Sequence, residues 1–218
     1  MDEKVGYVLM YFLRSSEKRL LVILPEIYGL NQHMLDVCRQ YANQSWDVFG
    51  FSWYKEIPFF LQKEEEQAYQ RFMSIGFEQA TRQVAEVLQN QRPIYQHIVV
   101  MGFSVGATVA WLLAGYTGLC DGSVGYYGSR IRHYTNITPK VPVLLLYGQS
   151  EPAFDLSPLL QTLARTPEVI LKQYPALHGF SNPYSSHYQP VAASLADEDV
   201  QQFLDKLARV SSTCYEAQ

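Results

Sequence analysis

The segment GFSVG, residues 102–106, places a serine between two glycines inside an otherwise apolar run. A serine hydroxyl is a weak nucleophile at neutral pH. It becomes useful when a general base stands beside it and a carboxylate orients that base. Residues 97–101, HIVVM, read as a strand, and VGATVAWLLAGY from Val105 reads as a helix, so Ser104 falls on a sharp strand-to-helix turn, the setting of a nucleophile elbow. The glycines let the two backbones approach while the serine holds a strained conformation that lifts its hydroxyl above the sheet. Beneath it, the helix start supplies unpaired N–H groups and a dipole that favour negative charge, with the N–H of Val105 as a first oxyanion donor.

Five histidines compete for the role of base. His33 lies in an early helix, His97 starts a strand, His133 precedes another, and His187 lies in a polar loop. His178, in QYPALHGFSNPY, falls between the last strand and the last helix. Behind an elbow of this kind the chain order is serine, acid, histidine, which selects His178. The acid should then follow the strand-like VPVLLLYG. Glu151 lies close behind that segment, whereas Asp155 lies further on and also suits the start of the helix LSPLLQTLAR. Glu151 is the expected acid and Asp155 the alternative. At the same sheet edge, PEIYGLN (25–31) offers the N–H of Ile27 as a second oxyanion donor. Glu26, in the apolar setting LLVILPEIYG, is either a surface acid or a buried carboxylate in need of a partner.

These residues need a scaffold that brings distant loops to one edge. Residues 5–13 and 20–24 are strand-like, and RSSEKR (14–19) suits a hairpin turn, so the chain is expected to start with an antiparallel pair. A helix is predicted over 31–44 with Asn31 as its N-cap, then a buried strand over 46–54. A long helix over 64–90 follows, with a break near Gly76 and an end at Arg92-Pro93. Strand 97–102, helix 105–116, strands 122–128 and 141–148, helix 156–165, strand 169–174 and helix 197–210 complete the chain. Apolar strands alternating with amphipathic helices imply a mostly parallel sheet with helices on both faces, in a single α/β domain over 1–218. The connection 51–64 is too short for a lid domain. Its aromatic part, FSWYKEIPFF, suits either an apolar acyl or aryl group or simple packing.

Composition excludes several other classes. A chain of 218 residues, 48% hydrophobic, can bury one core of ordinary size. A net charge of -4 with scattered basic residues leaves no footprint for nucleic acid or anionic lipid. The start MDEKVGYVLM reads as a strand and not as a signal peptide, and no apolar run is long enough to span a bilayer. Cys38, Cys120 and Cys214 are far apart and outside any CxxC spacing, so neither disulfides nor a zinc site is expected, and a cytoplasmic location is.

Taken in order, PEIYGLN, EQAY (66–69), GFSVGA, VGYYG (124–128), VPVLLLYGQSEP and YPALHGF resemble the dienelactone hydrolase family, a compact branch of the α/β hydrolases. The resemblance covers nearly the whole chain. It implies an α/β-hydrolase fold without a large lid, acting on small esters or lactones through a nucleophile, acid and histidine, with no metal or cofactor. The chain departs from the family's best known members in carrying Ser104 where they have cysteine and Glu151 where aspartate is usual. In those members the glutamate matching Glu26 contacts the nucleophile. Their dienelactone-cleaving representatives hold a substrate carboxylate with two arginines, and the matching neighbourhoods here carry Glu65 and Asn182. That exchange implies a substrate uncharged or cationic near the pocket mouth. Tyr28 and Tyr69 are candidate pocket residues, Tyr69 equally a helix-packing one. The expected activity is serine-dependent cleavage of a small ester or lactone by a monomer or homodimer. The alternatives are a small amidase or peptidase, and a ligand-binding protein that has lost catalysis.

Overall fold

The structure, a computed structural model, describes residues 10–15, 18–55, 59–151 and 154–215, with side chains from residue 11 to residue 209. Its strands are β1 (Met10–Leu13), β2 (Arg19–Leu24), β3 (Asp47–Phe51), β4 (His97–Phe103), β5 (Gly122–Tyr126), β6 (Val143–Gly148) and β7 (Val169–Tyr174). Its helices are α1 (Gln32–Ala42), α2 (Glu65–Gln91), α3 (Val105–Ala114), α4 (Ser157–Leu163) and α5 (Pro190–Tyr215). The described strands form one sheet in the order β1-β3-β2-β4-β5-β6-β7, parallel except where β1 meets β3.

β2 shows why this sheet is covered on both faces. Leu21 and Ile23 join one core with Val99, Met101, Met34 of α1 and Phe203 of α5, while Leu20, Val22 and Leu24 join another with Ile98, Val100, Phe72 of α2 and Val109 of α3. Side chains alternate across a strand, so an unbroken apolar run requires apolar partners above and below. Burying each such side chain contributes about 1.5–3 kcal/mol. α3 is apolar almost all round because it packs on β4 and β5 and is itself in contact with α2. The Asn31 side chain accepts the Met34 N–H at 3.1 Å and starts α1, as its position suggests. α2 breaks at Gly76, whose φ of 75° is not helical.

Two sequence expectations need correction. β1 does not form a hairpin with β2. It pairs antiparallel with β3, and β2 lies between β3 and β4, parallel to both. β2 is buried on both faces and so belongs inside the sheet, whereas β1 carries the exposed Phe12 and tolerates the edge. Residues 5–9 of the expected first strand and 16–17 of the expected turn lie outside the described residues. The last helix begins at Pro190, well before residue 197. A proline in the first turn of a helix costs no hydrogen bond, because the first N–H groups are unpaired in any case.

The parallel strands point their carboxyl ends the same way. Leu24, Phe103, Tyr126, Gly148 and Tyr174 therefore deliver the segments 25–31, 104, 127–133, 149–151 and 175–189 to one edge of the sheet. No helix among the described residues is long and apolar enough to cross a membrane.

Candidate active site

Ser104 stands between β4 and α3 with φ 53° and ψ -110°, a left-handed conformation that costs a non-glycine residue about 1–3 kcal/mol. The surrounding backbone enforces it. A Cβ on Gly102 would lie 2.1 Å from the Gly106 carbonyl oxygen, and one on Gly106 would lie 2.3 Å from that of Leu24. β2, β4 and α3 thus meet backbone to backbone. The Ser104 N–H donates to the Tyr126 carbonyl at 2.9 Å, and its own carbonyl accepts the Thr108 N–H at 3.2 Å, so the turn is tied both to the sheet and to the helix.

His178 Nε2 lies 3.1 Å from Ser104 Oγ, and His178 Nδ1 lies 2.8 and 3.0 Å from the two carboxylate oxygens of Glu151. A carboxylate only accepts, so Nδ1 carries the proton that faces Glu151 and Nε2 is left to accept from the serine hydroxyl. Glu151 is buried just beyond β6. The His178 loop is held by hydrogen bonds from Gln149 N–H to the Ala176 carbonyl at 2.9 Å and from Asn182 N–H to that of Gly179 at 3.1 Å. Burial disfavours a charged His178, but the hydrogen bond and charge of Glu151, helped by Glu26 and Glu65, outweigh it and hold the imidazole above the usual histidine range. Asp155 is exposed, and its carboxylate accepts the Ser157 N–H at 3.0 Å at the entrance to α4.

Glu26 is buried beside this chain of bonds. Tyr127 donates its hydroxyl proton to Glu26 Oε1 at 3.0 Å, and the same hydroxyl lies 3.0 Å from Ser181 Oγ. Among the described residues no hydrogen bond joins Glu26 to Ser104; the carboxyl turns to Tyr127 and Asn182 instead. Burial raises Glu26 above the usual carboxylate range, against the opposite pull of His178, Tyr127 and Asn182. Tyr127 was missed in the sequence. It holds a φ of 43° directly after β5, and its ring centroid lies 4.8 Å from that of His178, so its ring packs against the imidazole. Its unusual backbone has no signature that a dipeptide YY would reveal.

A cleft of about 500 Å³ opens over Ser104, with Ile27, Tyr28, Val105, Glu151 and His178 in its lining and Tyr69 on the α2 side. Val105 is the first residue of α3, so its N–H has no acceptor one turn back. The expected site residues are therefore brought into one cleft, with Glu26 on its inner side. Glu65 and Asn182 line it too, but so do Arg130 and Arg132 from the 3₁₀ turn Ser129–His133 after β5. The two matching neighbourhoods thus present Glu65 and Asn182 to the cleft as read from the sequence, and arginines reach it from a different segment. Among the described residues, no group of three or more His, Cys, Asp or Glu side chains could hold a metal ion.

Comparison with known proteins places this geometry. The model of the dienelactone hydrolase family matches residues 9–208. The chain belongs to the dienelactone hydrolase family. Within reach of it are the uncharacterized protein YczH of Bacillus subtilis, 37% identical over 175 residues with 78% of this chain and 85% of that protein covered. A putative carboxymethylenebutenolidase of Saccharolobus solfataricus is 26% identical over 249 residues, covering 94% of this chain and 96% of its own. The crystal structure of a putative dienelactone hydrolase from Klebsiella pneumoniae superposes with a TM-score of 0.70 at 20% identity, covering 91% of this chain and 92% of the other. The fold is that of the α/β hydrolases, and family and fold together support a hydrolase function.

Proposed function

We propose that this dienelactone hydrolase family member is a serine hydrolase that cleaves small esters or lactones through an acyl-enzyme. The hydrogen-bonded chain Ser104–His178–Glu151, at 3.1 and 2.8 Å, carries the reading. His178 Nε2 accepts the Ser104 proton as Oγ bonds to the substrate carbonyl carbon. The carbonyl oxygen becomes an oxyanion, and the N–H groups of Val105 and Ile27 stabilise it at the head of α3. When the tetrahedral adduct collapses, the carbon–oxygen bond to the alcohol breaks and the imidazolium returns its proton to the departing oxygen. Water then adds to the acyl-enzyme by the same route and frees the acid and Ser104. Glu151 holds the Nδ1 proton in place and stabilises the imidazolium in each half-reaction.

Ester cleavage suits a cleft of about 500 Å³ that no domain covers among the described residues, which admits a compact substrate and the second water. The free cysteines Cys38 and Cys120 are in keeping with a cytoplasmic protein. The test is fluorophosphonate labelling together with turnover of a short-chain aryl ester and a matched anilide by wild type and Ser104→Ala. Labelling and ester turnover that vanish in the variant are the expected result. A wild-type protein that neither labels nor turns over would overturn the reading in favour of a binding protein, and faster anilide than ester cleavage would move it to amides.

A further inference from the structure

A second pocket, of about 160 Å³, lies between α1, α5 and the loop after His178, and none of its lining residues lines the cleft of Ser104. That volume suits a ligand about the size of benzene. His33 of α1 forms part of the wall. It is 2% exposed, its ring stands edge-on to Phe103 with centroids 5.2 Å apart, and its Nδ1 has no hydrogen-bond partner among the described residues. A buried nitrogen left unmatched costs free energy until a partner reaches it. Burial keeps the imidazole neutral, pushing its pKa down to about 4, so with its proton on Nε2 the ring offers a lone pair at Nδ1.

Asp197 of α5 lines the same pocket and is half-buried. Its carboxylate accepts the Tyr126 hydroxyl at 3.2 Å and a Gln40 N–H at 3.4 Å, both longer than ordinary hydrogen bonds of their kind. Among the described residues no cationic side chain lies within salt-bridge distance of it, and burial raises its pKa above the usual carboxylate range. The other carboxylate in the wall is already matched: Asp36 takes Arg39 at 2.8 Å, Gln32 at 2.7 Å and the Tyr184 hydroxyl at 2.7 Å. No lysine or arginine lines the pocket, so a cation at Asp197 offsets the cost of its burial without meeting repulsion. His33 and Gln40 stand two turns apart on α1, about 10 Å along the axis, and the charge acting on His33 is that of Asp36 and not of Asp197. One ammonium group therefore does not serve both His33 and Asp197.

We propose that this pocket is a binding site for a short amino alcohol, whose ammonium group pairs with Asp197 while its hydroxyl donates to His33 Nδ1. A hydroxyl suits the His33 end better than a second ammonium, which would be buried beside a neutral ring and an aspartate that Arg39 already holds. The site is independent of the hydrolase reading, since no residue of the proposed triad lines it.

The test is a titration of the full chain, followed by the amide NMR signals of residues 33, 103 and 197, with four probes of one length: 3-amino-1-propanol, 1-propylamine, 1,3-propanediol and 3-hydroxypropionate. In wild type the amino alcohol shifts these signals saturably with a dissociation constant on the order of 1 mM, as befits so few atoms. Propylamine, which lacks the hydroxyl, binds about fivefold more weakly, and the neutral diol and the anionic acid about tenfold or more. Asp197→Asn weakens both amines about tenfold, the size of one lost charged hydrogen bond, and leaves the diol unchanged. His33→Phe keeps an aromatic ring against Phe103; it lowers the amino alcohol to the affinity of propylamine and leaves propylamine unchanged. The ranking of the four probes on wild type needs no variant, so it decides the matter even if a substitution unfolds the chain. Absence of a saturable shift means that the pocket holds water only and overturns the site. So does a diol or acid that binds as tightly as the amino alcohol, or an affinity for the amino alcohol that Asp197→Asn or His33→Phe in folded protein fails to lower.

Discussion

Replacing Glu151 by glutamine tests the proposed triad more sharply than removing the Ser104 hydroxyl, because the shape is kept and only charge and donor pattern change. Both carboxylate oxygens lie within 3.0 Å of His178 Nδ1. Whichever way the amide turns, an NH2 group therefore faces that nitrogen. That group disfavours a proton on Nδ1 and competes with the amide oxygen beside it, so the tautomer with its proton on Nε2, which cannot accept from Ser104, gains population. Loss of a charge-assisted hydrogen bond to the imidazolium amounts to about 1.5–3 kcal/mol, or roughly ten- to 150-fold in rate. The tautomer penalty multiplies this to about a hundred- to ten-thousand-fold in kcat/KM, the upper end being the effect of the same change in a serine protease triad. The pH profile gives a second signature. As the proposed base, His178 must be neutral to act, and Glu151 holds its pKa above the usual histidine value against burial, so wild-type activity is expected to fall as pH drops through that raised pKa. With the Glu151 charge and hydrogen bond gone, burial dominates, and the acid limb of the residual activity moves to lower pH. Steady-state hydrolysis of an aryl ester between pH 5 and 9 measures both effects. Asp155→Asn, which keeps the contact to Ser157, should stay within about twofold of wild type. The reasoning is refuted if Glu151→Gln keeps more than a tenth of the activity, if its acid limb moves upward, or if Asp155→Asn is the more damaging change.

Gly106→Ala should cost more than about 3 kcal/mol or abolish folding, since its Cβ would sit 2.3 Å from a carbonyl oxygen fixed at the end of β2; thermal melting and soluble yield report it, and a melting temperature within a few degrees of wild type would contradict the close packing. Glu26→Gln should stabilise the protein at neutral pH. Because the folded pKa of Glu26 is raised, the folded state binds the extra proton between the unfolded and folded values, so the wild type loses stability as pH rises through that window. The gap in melting temperature between variant and wild type should accordingly open above about pH 4.5, reach ~2–4 °C if the gain is about 1 kcal/mol, and close again in acid. A constant gap across pH would show that shape, and not charge, is responsible.

The parts of this site that were legible in the sequence are those set by local chemistry or by order along the chain. GFSVG lies between an apolar strand and an apolar helix, and the close approach it needs is written in Gly102 and Gly106. The loop of His178 was identified by its place after the last strand. Pairing was harder, because the composition of residues 10–13 says that they form a strand but not that the partner is β3 and not β2. The early start of α5 was hidden by Pro190, which reads as a breaker until it is recognised as a first-turn residue. Arg130 and Arg132 were passed over because the direction of a side chain on a short 3₁₀ turn depends on how that turn is folded back by Tyr69, Ser129 and Phe154. Tyr127 joins three segments remote in sequence, and no spacing announces such a junction.

That junction also bears on how this cleft can change. Tyr127 fastens the end of β2, through Glu26, to the His178 loop, through Ser181, so substitutions there disturb that loop and the core together. The opposite wall, made by the turn 129–133 and the first turns of α2, has no hydrogen bond to Ser104 or His178 among the described residues. One bank of the cleft is bonded to Glu26 and the His178 loop and the other is not, so residues 65, 69, 130 and 132 can be exchanged without breaking a hydrogen bond to Ser104 or His178.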